Sequence, residues 1–214
     1  MQFAHMLLEN MPVKPLPLGV IKRIAKKLSK NPDIVSRLPI ADIRAERKYG
    51  RDIKPWGWRV RAAKIKYGKK KVSAVIKRVH DVSAKPLVKG IQRIVREHNA
   101  KMRPKLYELR MPHAYPIGKD FVAMARTPAP TIKDIMNPDS PAQKERGRRF
   151  FEAMKKAHNI STKQLDAAFK ELCDNLKKIN TIIETQPFWL WKDQFFVLGY
   201  KKGKFIFMPV MDIV

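Results

Sequence analysis

Forty-six lysines and arginines against nineteen aspartates and glutamates leave this chain of 214 residues with a formal net charge of +27. Charge of one sign at this density repels itself in any compact state. Folding therefore requires the cations to lie on surfaces separate from the apolar stripes, and a polyanion seated among them should steady the fold. Apolar residues make up 44% of the chain, enough to supply a core, and the length suits one large or two small domains. The charge is uneven: up to Tyr107 there are 28 basic and 7 acidic residues, and beyond it 18 and 12. Such asymmetry between halves points to nucleic acid or an anionic surface as partner.

Helical periodicity accounts for much of the first half. Val20, Ile21, Ile24 and Leu28 share one side of a helix between Leu18 and Lys30, with Lys22, Arg23, Lys26, Lys27 and Lys30 opposite. Two further helices are expected to end at the tripeptides Lys48-Tyr49-Gly50 and Lys66-Tyr67-Gly68, because glycine suits the left-handed position after a helix and lysine its negative end. Val72, Val75, Ile76, Val79 and Val82 suggest another amphipathic helix. The next begins after Ser83, with Pro86 in its first turn. Leu87, Val88, Ile91, Ile94, Val95, His98 and Met102 line one of its faces, and Lys89, Arg93 and Arg96 stand opposite.

Seven of the sixteen prolines fall between residues 104 and 141, which predicts an extended connector there. Ser140 with Pro141 and Gln143, and Ser161 with Gln164, mark two helix starts by capping-box spacing. The second helix carries Leu165, Ala168, Phe169, Leu172, Leu176, Ile179 and Ile183 on one face, with charges of both signs elsewhere. The run AHNISTKQLDAAF is compatible with the start of a helix-turn-helix. No break for a recognition helix follows, so a plain αα-hairpin is the expectation. The C-terminal stretch is rich in strand formers and aromatics, and Lys201-Lys202-Gly203 suits a three-residue hairpin loop.

The fold expected is therefore mainly α, with basic amphipathic helices, a proline-rich extended connector and a small C-terminal β-hairpin. Its regions are a basic helical part (1–107), the connector (108–139), and a helical hairpin with the β-hairpin (140–214). No apolar run is long enough for a membrane span. The single cysteine, Cys173, rules out an internal disulfide and CxxC metal or redox sites.

Catalytic signals are sparse. His5, His80, His98, His113 and His158 show no metal-ligand spacing, and His80-Asp81 reads as the end of a basic helix. Gly199 to Lys204 lacks the length and the Ser/Thr of a phosphate-binding loop. No catalytic residue, metal or cofactor is assigned, and no enzymatic activity is expected.

The positive signal is a dense mixture of cations and aromatic rings. Arg47, Lys48, Arg51, Lys54, Arg59, Arg61, Lys64, Lys66, Lys69, Lys70 and Lys71 surround Trp56 and Trp58, and Lys77, Arg78, Lys89, Arg93 and Arg96 continue the basic series. Lysine and arginine neutralise phosphates, and exposed rings can stack on unpaired bases. The tryptophans serve equally well as core anchors. The functional expectation is a structural nucleic-acid-binding protein, RNA or DNA, within a nucleoprotein assembly of ribosomal or virion-internal type. It would be intracellular or inside such a particle, touching phosphates with little base readout. The C-terminal aromatics are expected to be buried mainly on the helical core, with some left to meet other protein subunits. The alternatives are a sequence-specific DNA regulator, a nucleic-acid-processing enzyme, and a basic membrane-active effector.

Overall fold

The computed structural model describes residues 17–30, 60–67, 70–79, 83–125, 127, 129–180 and 194–210, with the backbone alone for 60–67 and 70–73. In chain order the elements are α1 (Leu18–Ser29), β1 (Val60–Tyr67), β2 (Lys70–Arg78), α2 (Ala84–Lys101), β3 (Tyr107–Leu109), β4 (Ala114–Ile117), β5 (Phe121–Ala125), α3 (Ile132–Met136), α4 (Pro141–His158), α5 (Thr162–Asn180), β6 (Phe195–Lys201) and β7 (Lys204–Pro209). Seven strands in two sheets correct the mainly α expectation: the fold is mixed α and β. The residues form two compact units, one containing Lys14–Ile91 and Pro112–Thr127, the other Gln92–Met111 and Pro128–Val210.

In the first unit β1, β2, β5 and β4 form an antiparallel sheet in that order. Helix α1 starts where Pro17 breaks the chain, its carbonyl accepting from the amides of Val20 and Ile21 at 3.0 and 3.3 Å. Val20, Ile21, Ile24, Ala25 and Leu28 are buried in one cluster with Ala74 and Ile76 of β2, Ile117 of β4, and Ala123 and Ala125 of β5. Alanines on the strands leave room for the branched side chains of the helix. Each large side chain so buried contributes about 1.5–3 kcal/mol.

Two expected helices are strands instead. Lys66-Tyr67-Gly68 does not terminate a helix: Lys66 and Tyr67 end β1, and Tyr67 pairs with Lys70 across a two-residue connection, Gly68-Lys69. Glycine opening such a connection is a hairpin signal. Val72, Val75 and Ile76 of the expected series belong to β2, where alternation sends Ala74 and Ile76 into the α1 cluster and leaves Val75 half-buried; Val79 follows the strand and Val82 lies outside the described residues. Valine and isoleucine, stiff at χ1, fit this pleated surface better than a helix. The expected helix end at Lys48-Tyr49-Gly50 lies outside the described residues.

The proline-rich connector is likewise corrected, since residues 107–136 hold β3, β4, β5 and α3. Pro116 is accommodated because β4 is an edge strand, paired only with β5 among the described residues. Gly118, at φ +56°, makes the turn between β4 and β5.

In the second unit β3 runs parallel to β7, and β6 antiparallel to it. The expected C-terminal hairpin is present as β6 and β7. Its loop is two residues long: Lys201 pairs with Lys204, and Lys202 and Gly203 have φ of +52° and +78°, as a type I′ turn requires. Capping boxes start α3 at Thr131 and α4 at Ser140, and reciprocal Ser161–Gln164 bonds start α5. Asn159, in the left-handed conformation, ends α4. Helix α5 then runs unbroken to Asn180, so the chain from Thr162 to Asn180 has no break for a recognition helix. Phe150, Phe151 and Met154 of α4 share a core with Leu165, Phe169 and Leu172 of α5 and with Phe195, Phe205 and Phe207 of the sheet.

At the contact of α3 with α4, a Cβ on Gly147 would run into the backbone carbonyl of Asp134. Asp134 is itself buried and accepts from Arg146 at 2.5 Å and from the Thr131 amide at 2.8 Å. Gly147→Ala should therefore overpack this contact and cost about 1–3 kcal/mol. Chemical denaturation of the two proteins checks this, and an unchanged midpoint would show that the two helices part without penalty.

Candidate nucleic-acid interface

Three elements of the first unit carry cations and no acid. Helix α1 contains Lys22, Arg23, Lys26 and Lys27; β1 contains Arg61, Lys64 and Lys66; β2 contains Lys70, Lys71, Lys77 and Arg78. All four α1 cations are exposed, as is Lys30 just beyond, because the opposite side of the helix fills the sheet cluster. Lys22 lies 5.9 Å from the ring centre of Tyr115, a cation–π contact that fixes one of them against the sheet. These five cations were visible in the sequence as the back of an amphipathic helix, yet were not among the expected binding residues. Their signal was the absence of any acid on that helix.

The strands place several expected residues in register. Arg61 pairs with Ile76, Lys64 with Ser73, Lys66 with Lys71, and Tyr67 with Lys70. Lys77 is half-buried and Arg78 exposed. On α2, Lys89, Arg93 and Arg96 are exposed while Leu87, Val88, Ile91, Val95 and His98 are buried, as the periodicity implies. Arg47, Lys48, Arg51, Lys54, Trp56, Trp58, Arg59 and Lys69 lie outside the described residues, as do His80 and Asp81. Stacking and packing roles for the two tryptophans therefore both stand.

The second unit shows ordinary surface pairing. Glu145 accepts from Arg148 at 3.0 Å and from Arg149, Glu108 from Arg110 at 3.0 Å, and Lys101 pairs with Glu97 at 2.7 Å. Its described aromatics are occupied as well. Phe195, Phe205 and Phe207 are buried, and Phe196 and Tyr200 pack against the same core. Those five rings therefore do not form an exposed docking surface.

A second buried polar cluster of this unit, besides the one at Asp134, surrounds His98. Asn99 donates its Nδ2 to the Leu109 carbonyl at 3.0 Å, which turns its Oδ1 toward His98 Nδ1 at 2.9 Å. Since that oxygen can only accept, His98 carries its proton on Nδ1, and its Nε2 accepts from the Tyr107 hydroxyl at 2.5 Å. Asn175 in turn donates to the Tyr107 oxygen at 3.0 Å. Burial pushes the His98 pKa down, against smaller upward pulls from the Asn99 bond and Glu171, and burial pushes the Tyr107 pKa up. The partners come from the chain itself, the exposed Asn99 and the half-buried Asn175 among them, so the cluster ties α2 and α5 to β3.

Among the described residues no group of three His, Cys, Asp or Glu side chains is placed to hold a metal ion. No described helix is long and apolar enough to cross a membrane. No protein-family model matches the chain, and comparison with curated proteins and with solved structures returns no match.

A histidine whose folded pKa lies below its unfolded value of about 6.5 takes up its proton mainly on unfolding. Its contribution to stability is complete above about pH 6.5 and is lost as pH falls from there through the folded pKa. The free energy of unfolding should thus decline from pH 7 to pH 5, and His98→Gln should flatten that decline while lowering stability at pH 7 by about 1–3 kcal/mol. Equal pH slopes for the two proteins would remove His98 from the account.

Proposed function

We propose that this chain binds nucleic acid by neutralising phosphates over the basic elements of its first unit, as a structural component of a nucleoprotein assembly. The observation that carries this reading is the eleven cations of α1, β1 and β2 with no acid among them. Phosphate contacts position a protein on nucleic acid without reading sequence, and nothing in these elements favours base-edge readout. The unbroken α5 counts against a helix-turn-helix regulator. The burial of Val20, Ile21, Ile24 and Leu28 counts against a membrane-active effector, because the apolar face that α1 would need in a lipid surface is used in the core.

Salt dependence tests this reading. With about 6–10 phosphates contacted, polynucleotide affinity should fall on the order of 10³- to 10⁵-fold between about 50 and 200 mM salt. Replacing Arg59, Arg61, Lys64 and Lys66 together should weaken it far more than replacing Lys170, Lys177, Lys178 and Lys192, which removes equal charge. A flat salt dependence, or equal losses from the two sets, contradicts it.

A further inference from the structure

Strand β5 accompanies β2 only from Ala74 to Arg78. From Lys70 to Ser73 the described residues give β2 one partner, β1, so the pairs Lys64–Ser73, Ile65–Val72, Lys66–Lys71 and Tyr67–Lys70 form a two-stranded ribbon running past the sheet. At about 3.4 Å per residue these four pairs extend about 13 Å. Strand alternation puts Lys64, Lys66, Lys71 and Ser73 on one face, and Ile65, Tyr67, Lys70 and Val72 on the other. Between Lys64 and Ser73 the sequence has five lysines and no acid.

Register makes this ribbon costly when the protein is alone. Lys66 lies directly across from Lys71, and like charges in directly opposed positions destabilise a strand pair. Glutamate or threonine at either position would remove the conflict. The same placement suits a ligand bearing phosphates on both sides of a narrow element. The major groove of a B-form duplex, about 12 Å wide and 8.5 Å deep, admits a two-stranded β-ribbon, and about 13 Å of ribbon reaches its floor. The major groove of A-form RNA is too narrow for such entry. A single strand offers no pair of phosphate walls.

We propose that the β1–β2 ribbon enters the major groove of duplex DNA, with Lys64, Lys66 and Lys71 set against the phosphates that flank it. This rests on the nucleic-acid reading above and narrows its ligand to double-stranded DNA.

The test is fluorescence anisotropy of the full-length chain with a DNA duplex of about 20 base pairs, one of its strands, and the matching RNA duplex, at about 150 mM salt. The wild-type protein should prefer the DNA duplex over both others by at least about tenfold. Lys64→Gln/Lys66→Gln/Lys71→Gln should bind the DNA duplex about 30-fold more weakly, lose the preference, and show a log–log salt slope smaller by about 3. Lys22→Gln/Lys26→Gln/Lys27→Gln, with equal charge removed, should weaken all three ligands and keep the preference. Replacing the three ribbon lysines by arginine should restore both affinity and preference, with far-ultraviolet circular dichroism verifying that each variant folds. A wild-type protein that binds the single strand or the RNA duplex as tightly as duplex DNA, or a ribbon variant that keeps the preference, overturns the groove assignment and leaves phosphate binding standing. Absence of binding to all three removes the nucleic-acid reading and the ribbon's role with it.

Discussion

Like-charge repulsion is the condition under which this chain folds. A net charge of +27 opposes compaction, and the described elements meet it by giving each cationic helix in the first half an apolar back. Helix α1 turns Val20, Ile21, Ile24 and Leu28 into the sheet and its cations outward, and α2 does the same with Leu87, Val88, Ile91 and Val95 against Lys89, Arg93 and Arg96. The strands are constrained too, because residues paired in register keep their Cα atoms only about 4.5–5.5 Å apart. Lys66 beside Lys71 is the sharpest case. In the second unit acids are interspersed and pair locally, as Glu145 does with two arginines, so the repulsion is weaker there. The two units differ in electrostatic design as well as in sheet topology.

The helices were the legible part of the fold. Where an apolar stripe repeats at helical spacing after a starting serine, as for α2 and α5, the sequence places the helix and its outward face together; for α4 the capping residues place the start alone. The hairpin of β1 and β2 was not legible in this way. Val72, Val75, Ile76 and Val79 fit a helical period as well as a strand, and three- and four-residue gaps drew the reading to a helix. The β-branched content of that run, and Gly68 between two lysine-rich segments, were the contrary signals. Residues 107–136 misled for a different reason. Proline density predicts irregular chain, yet Pro116 needs no amide partner at an edge strand, and short strands such as Tyr107–Leu109 gain their order from distant partners, here Phe205–Phe207.

The candidate site was legible in kind and incomplete in extent. Lys64, Lys66, Lys77 and Arg78 were expected on helices, where they would be spread around a cylinder; as residues of β1 and β2 they hold fixed register positions in the sheet. The proposal of a grooved ligand rests on that change. The α1 cations carry a weaker sequence signal, because no aromatic ring is interleaved with them as Trp56 and Trp58 are with the cations from Arg47 to Lys71. The buried His98–Tyr107–Asn175 cluster could not be found from sequence, since its members come from α2, β3 and α5 and meet only in the folded core.

Thermal unfolding at fixed ionic strength, with and without an excess of duplex DNA, tests the central claim most directly. If phosphates relieve the repulsion that the native state bears, DNA at about 100 times its Kd should stabilise the fold by about 2.7 kcal/mol and raise the Tm by several degrees. A Tm unmoved by DNA, at salt low enough for phosphate contacts to form, would contradict it.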